Sequence, residues 1–184
     1  MKKNIKFAGF GGQGIIIMGH IIGNAFSIQA GKHASLTQSY GPEARGGACS
    51  TDLVVSGSNV NYPHFELSDI LVVMSREAFN VYGKNVLPGG IIITDSDMVS
   101  IDSSVLPKNV QVYDIPATKL AEDLGKKIVA NIVMLGYFVK VTKMINPEHV
   151  KKAIFEYVPK GTEKLNQKAF ETGYNYRINR RKLK

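Results

Sequence analysis

Apolar positions fall into two alternating patterns. Ile5–Phe10, Ala34–Tyr40, Thr51–Ser56, Ile70–Ser75, Gly90–Thr94 and Val110–Asp114 are short runs of strand character. Two of them, Ile70-Leu71-Val72-Val73-Met74 and Ile91-Ile92-Ile93, are apolar throughout, as strands covered on both faces must be. Between them lie longer stretches of helical pattern: Gly12–Ala30, Glu77–Asn85, Ala117–Leu124, Ile128–Lys143, Pro147–Tyr157 and a last one from Thr162 onward. Pro147 follows Asn146, which places an N-cap side chain and a first-turn proline at one helix start. Leu87-Pro88-Gly89-Gly90 predicts a turn feeding the Ile91 strand. Gly19 and Gly23 share one face of the first helix and let it approach its neighbour closely.

Strands alternating with helices imply βαβ crossovers. The expected architecture is a three-layer, Rossmann-like α/β fold: a mostly parallel sheet flanked by helices, with 184 residues forming a single domain. The longest apolar stretch, Ile15 to Ile28, is interrupted by His20, Asn24 and Ser27 and falls short of the roughly 20 apolar residues a membrane span needs. The start Met1-Lys2-Lys3-Asn4 leads straight into strand pattern, without the cleavage site of a signal peptide. A cytoplasmic protein with no membrane partner is the expectation.

Two loops carry the chemistry. The first strand runs into Gly9-Phe10-Gly11-Gly12-Gln13-Gly14, whose glycine spacing fits a dinucleotide-binding turn. The acid that should hold a ribose 2′-hydroxyl about 20 residues later is missing, for the first acidic residue of the chain is Glu43, in a loop beyond the second strand. The Lys of a mononucleotide phosphate loop is missing too, since the turn continues Gly14-Ile15-Ile16. These absences argue against a nicotinamide dehydrogenase and against a P-loop enzyme. What remains is a helix N-terminus able to hold an anion, or glycines that only seat the helix tightly on the sheet.

The second loop, Gln38-Ser39-Tyr40-Gly41-Pro42-Glu43-Ala44-Arg45-Gly46-Gly47, brings an aromatic, an acid and an arginine to the same sheet edge. Arg45 suits a phosphate or carboxylate because its planar fork pairs bidentately. Its bland alternative is pairing with Glu43. With Gly9–Gly14, this loop resembles the gamma subunits of the 2-oxoacid:ferredoxin oxidoreductases, and its wording is most similar to the 2-oxoglutarate and 2-ketoisovalerate branch. The likeness spans nearly the whole chain.

That resemblance implies an accessory, non-catalytic subunit of a hetero-oligomer. The enzyme converts a 2-oxoacid and coenzyme A to acyl-CoA and carbon dioxide, and passes electrons to ferredoxin. Thiamine diphosphate, magnesium and iron–sulfur clusters belong to the alpha, beta and ferredoxin-like delta partners, and no cofactor is expected on this chain alone. One cysteine, Cys49, cannot build a cluster, and no Gly-Asp-Gly thiamine-diphosphate motif is present. The candidate interface or coenzyme-A-proximal residues are Gly11, Gly12, Gln13, Gly14, Tyr40, Glu43, Arg45 and Gly46. The competing reading is a stand-alone nucleotide- or acyl-CoA-binding protein, and homodimerisation of the isolated chain is left open.

Other features change the picture little. The formal charge of +8 is concentrated in Arg177, Arg180, Arg181, Lys182 and Lys184. Without interleaved aromatic repeats this tail does not argue for nucleic acid. It suits docking on an acidic partner or a disordered end. Asp95 and Asp97 offer either a magnesium grip or turn capping, and capping is the simpler expectation. His20, His33, His64 and His149 lack metal-ligand spacing. Ser75 and Arg76 end a buried strand at the same edge as the two loops.

Overall fold

The computed structural model describes residues 2–40, 48–60 and 63–183, apart from the side chains of Tyr40 and Ala48. The strands are β1 (Lys3–Phe10), β2 (His33–Tyr40), β3 (Ala48–Ser56), β4 (Ser68–Val73), β5 (Val86–Asp95) and β6 (Gln111–Ile115). The α-helices are α1 (Ile15–Asn24), α2 (Arg76–Tyr82), α3 (Ala117–Asp123), α4 (Ala130–Thr142), α5 (Pro147–Tyr157) and α6 (Glu163–Asn175). The predicted first helix is two pieces, because α1 continues into a π-helical turn, Ala25–Gln29.

All six strands form one sheet in the order β2-β3-β1-β4-β5-β6. Pairs β1–β4, β4–β5 and β5–β6 are parallel, as the apolar runs predicted. β3 is the exception and runs antiparallel to both β1 and β2. The reason lies in the chain length between β2 and β3, residues 41–47, which is too short for a crossover and long enough for a hairpin. β3 begins at Ala48, earlier than its β-branched core suggests.

The turn expected at Leu87–Gly90 is instead built into a strand. β5 starts at Val86, and its pairing with β4 jumps from Ser68↔Val86 to Ile70↔Ile91. Gly89, with φ 77°, carries the irregularity, and its N–H donates to the Lys108 carbonyl at 3.0 Å.

The two faces of the sheet are unequally covered. Ile5, Phe7, Leu53 and Val72 join one core with α1, α3, α4, α5 and α6. Ala8, Leu71, Val73 and Ile92 join a smaller one with Ala78 and Phe79 of α2 and with Val99 and Val110. Local signals fix the helix starts. Asn146 Oδ1 accepts from the Glu148 N–H at 2.9 Å ahead of Pro147, and Ser75 Oγ accepts from the Ala78 N–H at 3.2 Å ahead of α2.

Gly19 and Gly23 do permit a close approach, to the sheet rather than to another helix. A Cβ on Gly19 would lie 3.0 Å from Leu36 Cδ1, and one on Gly23 3.4 Å from Leu53 Cδ1. A tighter crossing joins α4 to α6. A Cβ on Gly136 would sit 2.7 Å from the Tyr174 nitrogen, and one on Gly173 2.8 Å from the Val133 carbonyl carbon. Only glycine allows these two backbones to touch.

The basic tail is not loose between 179 and 181. The Asp114 N–H donates to the Asn179 carbonyl at 3.0 Å, and the Arg181 N–H donates to the Val112 carbonyl at 2.9 Å. The tail thus lies antiparallel along β6 and closes an edge that would otherwise expose its ladder groups. Arg181 Nε donates to Asp114 Oδ2 at 2.7 Å, and Asn179 N donates to the Tyr137 hydroxyl at 3.0 Å. Among the described residues no helix is long and apolar enough to cross a membrane.

Candidate functional site

The order of strands places the site. β1 leads into α1, which packs on the larger core, and its neighbour β4 leads into α2, which packs on the smaller one. The carboxyl ends of β1 and β4 therefore flank the crevice that such a reversal opens in an α/β sheet. On its other side β1 meets β3, with Phe10 opposite Ala48 and Gly9 opposite Cys49. The chain that begins at Tyr40 and returns at Ala48 is consequently anchored at the same edge as the glycine turn.

The turn itself is closed by Gln13. Its Oε1 accepts from the Phe10 N–H at 2.7 Å, and its Nε2 donates to the Met74 carbonyl at 3.0 Å. The Gln13 backbone N–H donates to the Phe10 carbonyl at 3.2 Å. One amide side chain thus ties the ends of β1 and β4 together, two residues before Arg76. Arg76 is exposed and lies, with Asp97, Ser100 and Arg181, along a cavity of about 380 Å³.

Gly14 is the N-cap of α1, at φ 73° and ψ 25°, and offers no side-chain cap. No acid stands in the first turn of α1. The leading N–H groups of the helix have no intrahelical acceptor, and the positive dipole end is uncompensated. Gly14 is required twice over, because its φ is left-handed and because a Cβ there would lie 3.0 Å from Asn131 Cγ.

Of the residues singled out from sequence, Gly11, Gly12, Gln13 and Gly14 are gathered in this turn, with Gln13 serving the fold through both ends of its amide. The β2 backbone brings Tyr40 opposite Cys49. The Tyr40 side chain, Glu43, Arg45 and Gly46 lie outside the described residues. Asn131, a residue sequence reasoning passed over, packs against Gly14. Its signal was present as the one polar residue opening the buried stretch Ala130–Val139.

Neighbouring groups are inert or structural. Burial raises the Cys49 thiol above its ordinary range, against a weaker lowering by its backbone hydrogen bond, so it is no ready nucleophile. Asp95 caps rather than coordinates: its Oδ2 accepts from the Thr118 N–H at 2.9 Å and from Thr118 Oγ1 at 2.6 Å, and its Oδ1 from the Asp97 N–H at 3.3 Å. His20 stacks on Tyr157 and bonds to Gln38 at 3.0 Å. No group of three or more metal-ligating side chains occurs among the described residues.

Known proteins share the fold and much of the sequence. The family model for pyruvate ferredoxin/flavodoxin oxidoreductase matches residues 4–176. The 2-oxoglutarate synthase subunit KorC of Methanocaldococcus jannaschii is 45% identical over 176 residues, covering 95% of this chain and 93% of that protein. The keto/oxoacid ferredoxin oxidoreductase gamma subunit of Geobacter sulfurreducens superposes with a TM-score of 0.84 at 38% identity, over 95% of each chain. A 2-oxoglutarate:ferredoxin oxidoreductase of Magnetococcus marinus, solved with 2-oxoglutarate, coenzyme A and succinyl-CoA, shares the fold. Its TM-score is 0.83 at 23% identity, over 94% of this chain and 30% of that one.

Proposed function

Because the chain belongs to the pyruvate ferredoxin/flavodoxin oxidoreductase family, we propose that it is the gamma subunit of a 2-oxoglutarate:ferredoxin oxidoreductase. The observation that carries this is the 45% identity to a 2-oxoglutarate synthase subunit over nearly the full length of both chains. The assembled enzyme makes succinyl-CoA and carbon dioxide from 2-oxoglutarate and coenzyme A, and reduces ferredoxin.

Thiamine diphosphate and iron–sulfur clusters supply the carbanion and electron chemistry of such an enzyme when bound. The residues of this chain do not fit them, since one cysteine cannot hold a cluster that needs four thiolates and the sequence has no Gly-Asp-Gly motif for thiamine diphosphate. Alpha, beta and ferredoxin-like delta partners are therefore the proposed holders. Coenzyme A is different, because an uncapped helix start and glycine turn do suit its phosphates. We place Gly11–Gly14 and the loop bearing Tyr40, Glu43, Arg45 and Gly46 against the partner subunits, close to that coenzyme. In this reading the chain binds no redox group; it contributes positive potential and excludes water from one wall of the site. The whole chain acts as one domain in the cytoplasm.

Co-purification of the tagged chain from its source tests the proposal. Brown, cluster-bearing partners and 2-oxoglutarate-dependent, coenzyme-A-dependent reduction of ferredoxin are expected, with activity lost when the chain is omitted from reconstitution. A colourless protein that binds nucleotide or acyl-CoA without partners would return it to the stand-alone reading.

A further inference from the structure

Another cavity, of about 430 Å³, opens at the start of β1, the opposite end of that strand from the glycine turn. Buried Phe26 and Val55 and half-buried Met144 give it an apolar floor, and Lys3, Lys32 and Lys143 stand at its rim. Pockets of roughly 300–1,000 Å³ take small ligands. The charges at the rim are not balanced. Lys3 Nζ donates to Asp69 Oδ1 at 2.7 Å, whereas Lys32 and Lys143 meet no carboxylate among the described residues.

Two features of the backbone hold these lysines in place. Phe26 belongs to the π-helical turn Ala25–Gln29, a rare form that recurs at functional sites. The Lys32 N–H donates to the Phe26 carbonyl at 2.9 Å, and Lys32 Nζ stands 5.7 Å from the centre of the Phe26 ring. Lys143 closes α4 in the left-handed region, at φ 51° and ψ 25°. Glycine usually fills that place, because a Cβ there crowds the following carbonyl. The other non-glycine residue with positive φ among the described residues is Asn109, whose short polar side chain takes the region readily. Lysine has no such ease, and Lys140 in the last turn already complements the helix dipole. Solvation of a surface lysine needs neither the strained turn nor an apolar floor.

We infer that this cavity binds an amphipathic carboxylate, an aliphatic chain with one anionic head. The chain lies against Phe26, Val55 and Met144, and the head sits between the ammonium groups of Lys32 and Lys143. Both halves are needed, since exposed ion pairs are weak alone and the apolar floor by itself does not select an anion. The inference does not draw on the proposed subunit role.

The test is titration of the full chain, ¹³C-labelled at its methionine and valine methyls, with sodium octanoate, followed by NMR. Saturable shifts of the Met144 and Val55 methyls are expected. Acetate, shorter by six methylenes, should bind roughly a hundredfold more weakly. Octanol, which lacks the charge, should bind about tenfold more weakly. Lys143→Gly keeps the left-handed turn and removes the ammonium group, so it should weaken octanoate binding about fivefold while raising the melting temperature. Lys32→Gln should also weaken binding about fivefold. Lys164→Gln, on an exposed position of α6, should leave it unchanged. Absence of saturable shifts at Met144 and Val55 overturns the site, as does unaltered affinity in both Lys143→Gly and Lys32→Gln. Equal affinity for octanol and octanoate reduces the cavity to an apolar cleft and overturns it as well.

Discussion

Arg181 and Asp114 hold the tail to the sheet: Arg181 Nε donates to a carboxylate oxygen at 2.7 Å, and the other oxygen accepts from Thr94 Oγ1 at 2.9 Å. Asp114 is 6% exposed, so loss of the guanidinium would leave a buried carboxylate short of a partner. Arg181 itself is about one-third exposed, which moderates the cost. Arg181→Ala should lower unfolding free energy by about 1–3 kcal/mol in urea melts. The amide of Asp114 should then exchange hydrogen faster, because the Asn179 carbonyl it donates to leaves the β6 edge.

Gln13→Ala should cost about 1–3 kcal/mol, since it strips the Phe10 N–H and the Met74 carbonyl of their partners at once. Chemical denaturation measures it. An unchanged midpoint would mean that water replaces the amide without loss.

The α4–α6 crossing should be the least tolerant contact. Gly136→Ala forces a methyl against the α6 backbone and should destabilise by about 1–3 kcal/mol or more. Gly12→Ala is the control, because nothing lies within 4 Å of its Cβ position and only the strain of its φ of 96° remains. That strain costs roughly 1–2 kcal/mol. Thermal melts of the two variants should rank in that order.

Asp95 makes stability depend on pH. Burial raises its carboxyl above the ordinary range, outweighing the Thr118 hydrogen bonds that pull it down. The folded chain thus holds this proton more tightly than the unfolded one. Its contribution is complete below the unfolded value of about 3.9 and is lost as pH rises through the higher folded value. Asp95→Asn should flatten the stability profile across that window in urea melts taken at successive pH values.

For the loop at 41–47 the prediction is kinetic. In the reconstituted complex Arg45→Ala should raise the coenzyme A Michaelis constant about tenfold, the worth of one charge-assisted hydrogen bond. Unchanged kinetics would assign Arg45 to holding its own loop with Glu43.

Sequence periodicity disclosed the parallel part of the sheet because β4 and β5 are apolar on both faces, and the cap at Asn146 marked α5 locally, whereas Ser75, read as a strand end, turns out to cap α2. It did not disclose the reversal at β3, whose alternation is the same in either direction; only the shortness of the 41–47 connection carried that information. The tail pairing was hidden since Asn179–Arg181 has no strand pattern of its own and depends on β6 for partners. At the site, the glycine turn was visible in the spacing. Asn131 was not, for its partner Gly14 is distant in sequence and meets it only when α1 and α4 are packed.

The central place of β1 has a consequence for how the protein is made. Ile5 pairs with Leu53 on one side and with Ile70 on the other, so β1 has no neighbour in the sheet until β3 and β4 have been made. The glycine turn is therefore made before both strands that flank β1, and its folding waits on contacts that are far apart in the chain. Once β4 arrives, the turn is locked into the middle of the sheet, where opening it requires separating strands on both flanks. An anion held there would sit on a part of the molecule that rarely breathes.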